Sequence, residues 1–415
     1  MMPSPTHHLA IIGAGPAGLM AAITAAEAGA KVTLFEKMAK PGIKLSITGN
    51  GRGNLANQCD IDRFLEAFGK NGPFLRQAAH HFHTPDLLDF LEKLGIETVE
   101  EEDGKLFTKE GNANRVAQAL AAHATALGVS ILYNMPVQTI HFKDKQVCGV
   151  ILQNGKCIQA DKVIISTGGA SYPTTGSDGS GFELAKQAGH TITPILPALV
   201  PLVTENQELP KTLQGLSLPA IKATLLCNNE KVAVREGDLL FTHFGLSGPL
   251  PLLLSRTVAQ SLAKSQKVVL ELDFISEQND QETEDMLLFF LDTKGRLPIK
   301  TLLREWLPDR LVEAVLRQTA LFSEKWGHQI SAKERKALLS AIKHFPLSIG
   351  NTRPLAEAQV TAGGISLDEI NPRTLESRLI EGLFFAGEVV DVDGESGGFN
   401  LMAAFSMGRL AGKIG

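Results

Sequence analysis

The sequence predicts an α/β fold: a doubly wound, parallel-sheet domain interrupted by an inserted β-rich subdomain and a small helical one. Three observations carry this. The chain opens with a strand–turn–helix–strand pattern whose turn reads Gly13-Ala14-Gly15-Pro16-Ala17-Gly18. It closes with a short apolar strand, a Gly-rich turn and a helix running to about residue 411. Between them the apolar pattern alternates with period two and then becomes helical. The expected boundaries are 1–195 and 355–415 for the doubly wound domain, 196–275 with about 344–354 for the β-rich insert, and 276–343 for the helical insert. At 415 residues, two or three domains fit the length.

Composition excludes several classes. Hydrophobic residues are 44% and charged residues 20%, so the chain has material for a core and is not disordered. A net charge of −5 argues against bulk attraction to polyanions. Cys59, Cys148, Cys157 and Cys227 form no C-x-x-C pair, which disfavours a disulfide scaffold, a Cys-type zinc site or a dithiol centre, and suits a reducing cytoplasm. No His/Asp/Glu spacing suggests a metal. Residues 9–26 carry no charge, but glycines and Pro16 interrupt them and no Lys or Arg precedes them. A targeting segment or membrane anchor is therefore not expected.

Residues 8–12 (His-Leu-Ala-Ile-Ile) read as a buried strand, 19–28 as an alanine-rich helix and 31–35 as the next strand, ending at Glu36. Gly13 permits the tight turn, Gly15 lets the backbone approach a pyrophosphate, and Gly18 lets helix and strand pack closely. The helix start, at Pro16 and Ala17, offers free N–H groups and partial positive charge to phosphates. Glu36 can accept from a ribose diol, and its charge disfavours a 2′-phosphate. Strand, loop, helix, strand and acid in register point to a dinucleotide site.

That unit does not choose between the dinucleotides; the chain end does. Residues 383–386 form a strand entering Gly387-Glu388, and Gly397-Gly398-Phe399-Asn400-Leu401 opens the last helix. A second helix N-terminus is what FAD needs, because the N1/O2 edge of a flavin becomes negative on reduction. Mid-chain, strands at about 136–143, 146–153 and 156–160 form a meander, which starts near Val137 and delivers the strand 162–166 to Thr167-Gly168-Gly169. No second G-x-G-x-x-G is visible, so a dedicated nicotinamide domain is not expected, and the electron donor is either NAD(P)H bound transiently over the flavin or another protein. G-x-S-x-G is absent, so serine hydrolysis lacks support.

These segments resemble the BaiN/RdsA-type (YhiN-like) NAD(P)/FAD-dependent oxidoreductases of the glutathione-reductase-like FAD superfamily. The resemblance spans nearly the whole chain. Besides the segments above, it rests on Thr48-Gly49-Asn50-Gly51-Arg52-Gly53-Asn54, Ser166 through Pro173, Phe241 through Pro249, and Val360-Thr361-Ala362-Gly363-Gly364. The family's second segment usually reads Ser-Gly-Gly-Gly-Arg-Cys-Asn. Here Gly53 replaces the cysteine, so a mechanism using that thiol does not carry over. Arg52 remains a fixed cation for a phosphate or the flavin carbonyl edge. Lys37, Lys44, Thr48, Gly49 and Asn54 complete the expected cofactor contacts, with Glu388 orienting ribityl or backbone groups.

The resemblance implies reduction of an activated C=C bond, with uridine of ribosomal RNA as the leading substrate and a small steroid-like molecule as the rival. His243 and Tyr172 are the acid/base candidates. The alternatives are a flavin-dependent amine oxidase and an RNA-binding modification or assembly factor with structural FAD. For the last, residues 294–345 carry eleven basic residues against five acidic ones, while 268–293 carry eight acids and no base. In the insert, runs at 199–203, 221–227 and 268–272 read as strands, and 285–292, 299–306, 309–318 and 331–345 as helices. Ser331 with Glu334 forms a capping box.

Overall fold

A computed structural model describes residues 7–414. The chain forms two compact units, one reaching Leu196 and resuming at Leu355, the other spanning Pro197–Pro354.

The first unit is built on a five-stranded, all-parallel sheet. Its order is Leu383–Phe385, Lys162–Ile165, His8–Ile12, Lys31–Phe35, Ser130–Leu132. The central strands are apolar runs because helices cover the faces of such a sheet. The first helix spans Pro16–Glu27, one turn earlier than the expected start at residue 19. The reason is local: Pro16 sits in the first turn, where a missing N–H costs nothing. The meander is an antiparallel sheet of Val137–Lys143, Gln146–Leu152 and Cys157–Gln159. A further small sheet, Asn54–Asn57, Lys105–Thr108 and Thr98–Glu100, has no counterpart in the sequence reading. The last helix, Phe399–Ala411, lies against the first with almost no side chain between them. A methyl at Gly408 would stand 2.3 Å from the Ala17 carbonyl oxygen.

The second unit centres on a closed antiparallel barrel. Its strands are, in order around the barrel, Leu202–Thr204, Gly245–Ser247, Glu230–Phe241, Ser217–Cys227, Val268–Asp273 and Phe345–Thr352. Closure removes the exposed edges that open strands would carry. Barrel and helices share one hydrophobic core, in which Leu270 and Phe345 meet Leu287, Leu302 and Leu338. The helix Pro249–Ala263 was not expected. Its opening run of prolines and leucines has neither a helical nor an alternating pattern.

The helix expected over 331–345 instead spans Ala332–Lys343, and Phe345 begins the closing strand. Ser331 and Glu334 do form the reciprocal capping box. The helix read at 285–292 is longer, Asp280–Thr293, with its own capping box from Asn279 and Glu282. Six of the eleven basic side chains at 294–345 are engaged in ion pairs: Lys294–Glu305, Lys300–Glu324, Arg304–Asp309, Lys325–Glu334, Arg335–Glu284 and Lys343–Asp273. Much of the basic excess is thus neutralised locally.

Candidate cofactor site

The glycine turn sits where the first strand meets the first helix. Gly13 has φ +101°, and a methyl there would lie 2.7 Å from the Ser166 carbonyl oxygen. A methyl at Gly18 would lie 1.9 Å from the Gly13 carbonyl oxygen. At Gly15 the same methyl would meet nothing within 4 Å. Two glycines therefore serve packing, while the third leaves an open approach to backbone. No side chain caps the helix at Gly15, so its first N–H groups keep their capacity for an anion.

Glu36 is buried at the end of the second strand. Its Oε2 accepts from Ala14 N at 2.8 Å and its Oε1 from Met38 N at 2.8 Å. Burial raises its pKa above the usual carboxylate range, against these two hydrogen bonds. Val137, also expected at the cofactor, begins the strand Val137–Lys143 opposite Leu152, two residues after Met135, whose amide donates to the Glu36 carbonyl. Lys37 pairs with Asp178 and donates to Ser180 Oγ at 3.0 Å.

The Gly42 amide bonds the Ala14 carbonyl and brings the short helix Ile43–Ser46 to the glycine turn. From it Lys44 Nζ reaches Glu388 Oε2 at 2.8 Å and Ser171 Oγ at 2.6 Å. Burial pushes the Glu388 carboxyl up. The Lys44 ammonium and the amides of Thr361 and Gly169 outweigh this and hold it below the usual range. Gly168 and Gly169 press against the same carboxylate: methyls there would lie 3.9 and 3.1 Å from its atoms. Gly387, with φ +83°, faces Ala17 of the first helix. Glycine turn, Glu36, Lys44, Thr167–Gly169 and Gly387-Glu388 are therefore one contiguous site.

The last helix is fixed separately. Gly398, at φ +95°, sits so close to Ala56 that a methyl would approach its carbonyl oxygen to 2.2 Å. Asn400 closes the preceding loop through Gly394 N, Gly394 O and Glu395 O. Leu401 is half-buried one residue on. No side chain caps this helix either.

Other expected residues have roles inside the protein. Arg52 pairs with Glu101 and lies over the Phe107 ring, 4.3 Å from its centroid. Thr48 Oγ1 donates to the Leu45 carbonyl, and Gly49 at φ +56° lets Phe107 pass. Tyr172 is half-buried, next to Ser171, in the left-handed region at φ +53°. His243 belongs to the other unit. It is exposed in the Thr242–Gly245 turn, with its ring against Phe244.

Two residues carry roles that the sequence does not assign to them, Thr361 within its motif and Asn57. Thr361 Oγ1 accepts from Ala170 N at 2.9 Å and Ser171 N at 3.1 Å, while its amide donates to Glu388. The Gly-Gly pair after it was the available signal. Asn57, buried, donates to the carbonyls of Gly397 and Asp103 and so grips the last helix entry; nothing in its local sequence marks it.

The residues present fit FAD. Two uncapped helix starts, an open backbone at Gly15, and buried Asn54 Oδ1, Thr167 Oγ1 and Ser177 Oγ without protein partners suit an elongated polar ligand. Known proteins agree. Solved structures of similar fold include a 3-ketosteroid-delta4-(5alpha)-dehydrogenase from Rhodococcus jostii, at 17% identity, TM-score 0.52, and 99% and 97% coverage of this chain and that one. A flavocytochrome c3 fumarate reductase gives 18% identity, TM-score 0.50, and 99% and 78% coverage. Among curated proteins, the 3-dehydro-bile acid delta(4,6)-reductase of Clostridium scindens is 31% identical over 98% of both chains. The ribosomal RNA dihydrouridine synthase of Escherichia coli is 32% identical over 95% of this chain and 94% of that one.

Fold and site together define a Rossmann-type, FAD-dependent oxidoreductase. Within that class the chain belongs to the family described as HI0933-like protein Rossmann domain, whose model matches residues 7–414. Among the described residues no helix is long and apolar enough to cross a membrane, and no group of His, Cys, Asp or Glu is placed to hold a metal.

Proposed function

We propose that this protein reduces an activated C=C bond with electrons from NAD(P)H, and that the bond is the uridine double bond of ribosomal RNA. The observation that carries the reading is the end-to-end similarity to named reductases and synthases of this kind, two of them ribosomal RNA dihydrouridine synthases. When bound, FAD supplies the hydride equivalent. The chain supplies the rest. The Gly13–Gly18 turn and the first helix start hold the pyrophosphate, Glu36 the ribose, and Lys44 with Glu388 the ribityl segment. The uncapped start at Gly398 faces developing negative charge. Tyr172 and His243 are the proposed proton donors. A reducing cytoplasm suits both donor and substrate.

A second reading, reduction of a C=C bond conjugated to a ketone in a polycyclic small molecule, is favoured by the bile acid reductase, which matches over 98% of each chain. Anaerobic mixing with NADH and with NADPH, followed at the flavin band, tests the shared step; rapid bleaching is expected. Reoxidation by uridine-containing rRNA then separates the readings from reoxidation by an enone. Absence of bleaching, with peroxide released from amines in air, would establish an oxidase instead. Tyr172→Phe and His243→Ala should each slow the reoxidation step by 10²-fold or more while leaving bleaching intact, on the usual scale of acid catalysis. Unchanged reoxidation removes the residue from the mechanism.

A further inference from the structure

Three of the large apolar side chains most exposed in the second unit lie on two segments that hold each other. Phe322 is 70% exposed, Trp326 46% and Leu297 40%. The Gly327 amide donates to Leu297 O, Ile299 N to Lys325 O and His328 N to Gly295 O. The segments 295–300 and 322–328 thus form one rigid face. His328 lies beside the indole, 6.3 Å between ring centroids.

The charges around this face are mostly positive. Arg296 adjoins Leu297 and is exposed, Arg317 ends the helix leading to Phe322, and Lys333 and Lys336 are exposed on the helix that follows. Among the described residues none of the four makes an ion pair. Glu324, the acid within the loop, is neutralised by Lys300, and Glu334 by Lys325. Exposed rings flanked by unpaired cations are the combination that holds single-stranded nucleic acid, with bases stacked on rings and phosphates on Arg and Lys.

We propose that Phe322, Trp326 and Arg296 form an RNA-docking face, used to hold a single-stranded segment of the rRNA substrate. The proposal rests on the uridine reading above. It separates this face from the acidic helix Asp280–Thr293, where Phe289 is exposed and the nearby Lys294 is paired with Glu305.

Tryptophan fluorescence tests it on the full-length holoenzyme, because Trp306 is packed against Phe290 and Trp326 is the exposed indole. Oligouridylate should quench wild-type emission, and the quench should vanish in Trp326→Leu. Affinity measured by anisotropy should fall about tenfold for each of Trp326→Leu and Phe322→Ser, the scale of one stacked base. Arg296→Gln should flatten the salt dependence by about one unit of slope. NAD(P)H-driven bleaching should stay at the wild-type rate in all three. RNA binding at wild-type affinity in the Phe322→Ser, Trp326→Leu double variant overturns the face and leaves the uridine reading standing. No RNA binding by the wild-type protein overturns both. RNA affinity kept while a ribosomal protein is no longer retained assigns the face to a protein and overturns the proposal.

Discussion

Lys44 and Glu388, 344 positions apart, form a half-buried ion pair with Nζ and Oε2 2.8 Å apart and about a fifth of each side chain exposed. The pair also takes in Ser171, and through it the loop that carries Tyr172. Truncating one partner strands the other charge where water reaches it poorly. Lys44→Met should cost about 1–3 kcal/mol in urea unfolding and let the Glu388 carboxyl rise. Glu388→Gln should cost less, since its carbonyl can still accept from Thr361. Equal unfolding midpoints for all three proteins would show that the pair contributes nothing.

Gly18 offers the sharpest test of the glycine turn. An added methyl collides with the Gly13 carbonyl, which is backbone and cannot swing aside. Gly18→Ala should yield a protein that loses its flavin colour on desalting. Gly15→Ala should keep its fold, since its methyl meets no protein atom, yet bind FAD more weakly. A yellow, fully loaded Gly18→Ala protein would contradict this assignment.

Gly53 stands where the family resemblance leads one to expect cysteine, and its backbone explains why the exchange is not neutral here. It has φ +77°, and a side chain would begin 3.1 Å from the Ala113 Cβ. Gly53→Cys should lower stability by about 1–2 kcal/mol through left-handed strain. The thiol should not raise turnover. A stabilised, faster variant would mean that the surrounding turn adapts to the side chain.

His190 makes folding sensitive to pH. Its buried ring bonds Glu369 through Nδ1 at 3.1 Å and Ser377 Oγ through Nε2 at 2.8 Å. Burial pulls its pKa below the ordinary value, and Glu369 only partly opposes this. In the unfolded chain the ring takes a proton near pH 6.5. The unfolded state therefore binds more protons, and stability present above that pH is lost as pH falls below it. Glu369 works in the same sense at lower pH. Burial pushes it up, but Thr191 and His190 hold it below the usual range. His190→Gln should flatten the melting temperature between about pH 7 and pH 5; an unchanged slope would assign the dependence elsewhere.

Much of the first unit was legible because its signals are local. Gly13, Gly18 and Glu36 announce themselves by spacing, and the strands at 8–12 and 31–35 are bounded by turn residues. What stayed hidden depends on distant partners. Lys343 reads as one more cation of a basic helix until its burial against Asp273 at 2.8 Å is known. Closure of the barrel rests on pairing such as Leu202 with Thr352, which no local pattern encodes. Arg52 reads as a cation for the cofactor until the three-stranded sheet forms, its outer strands Asn54–Asn57 and Thr98–Glu100 both paired to Lys105–Thr108, and brings Glu101 to it. Asn57 is an ordinary polar residue until Gly397 arrives beside it.

The parallel sheet has a consequence for how the chain comes off the ribosome. Lys162–Ile165 pairs on one side with His8–Ile12, but its other neighbour, Leu383–Phe385, with Val163 opposite Leu383, follows in sequence only after the whole second unit. During synthesis the strand at 162–165 waits as an unpaired apolar edge while the barrel is made. The helix Phe399–Ala411, which packs backbone to backbone on the first, emerges later still. Contacts of such long sequence separation form late and slowly. Until they form, the nascent chain exposes a template for wrong strand pairing. The barrel, closed and contiguous in sequence, can fold on its own schedule, so the vulnerable interval belongs to the unit that must hold the flavin.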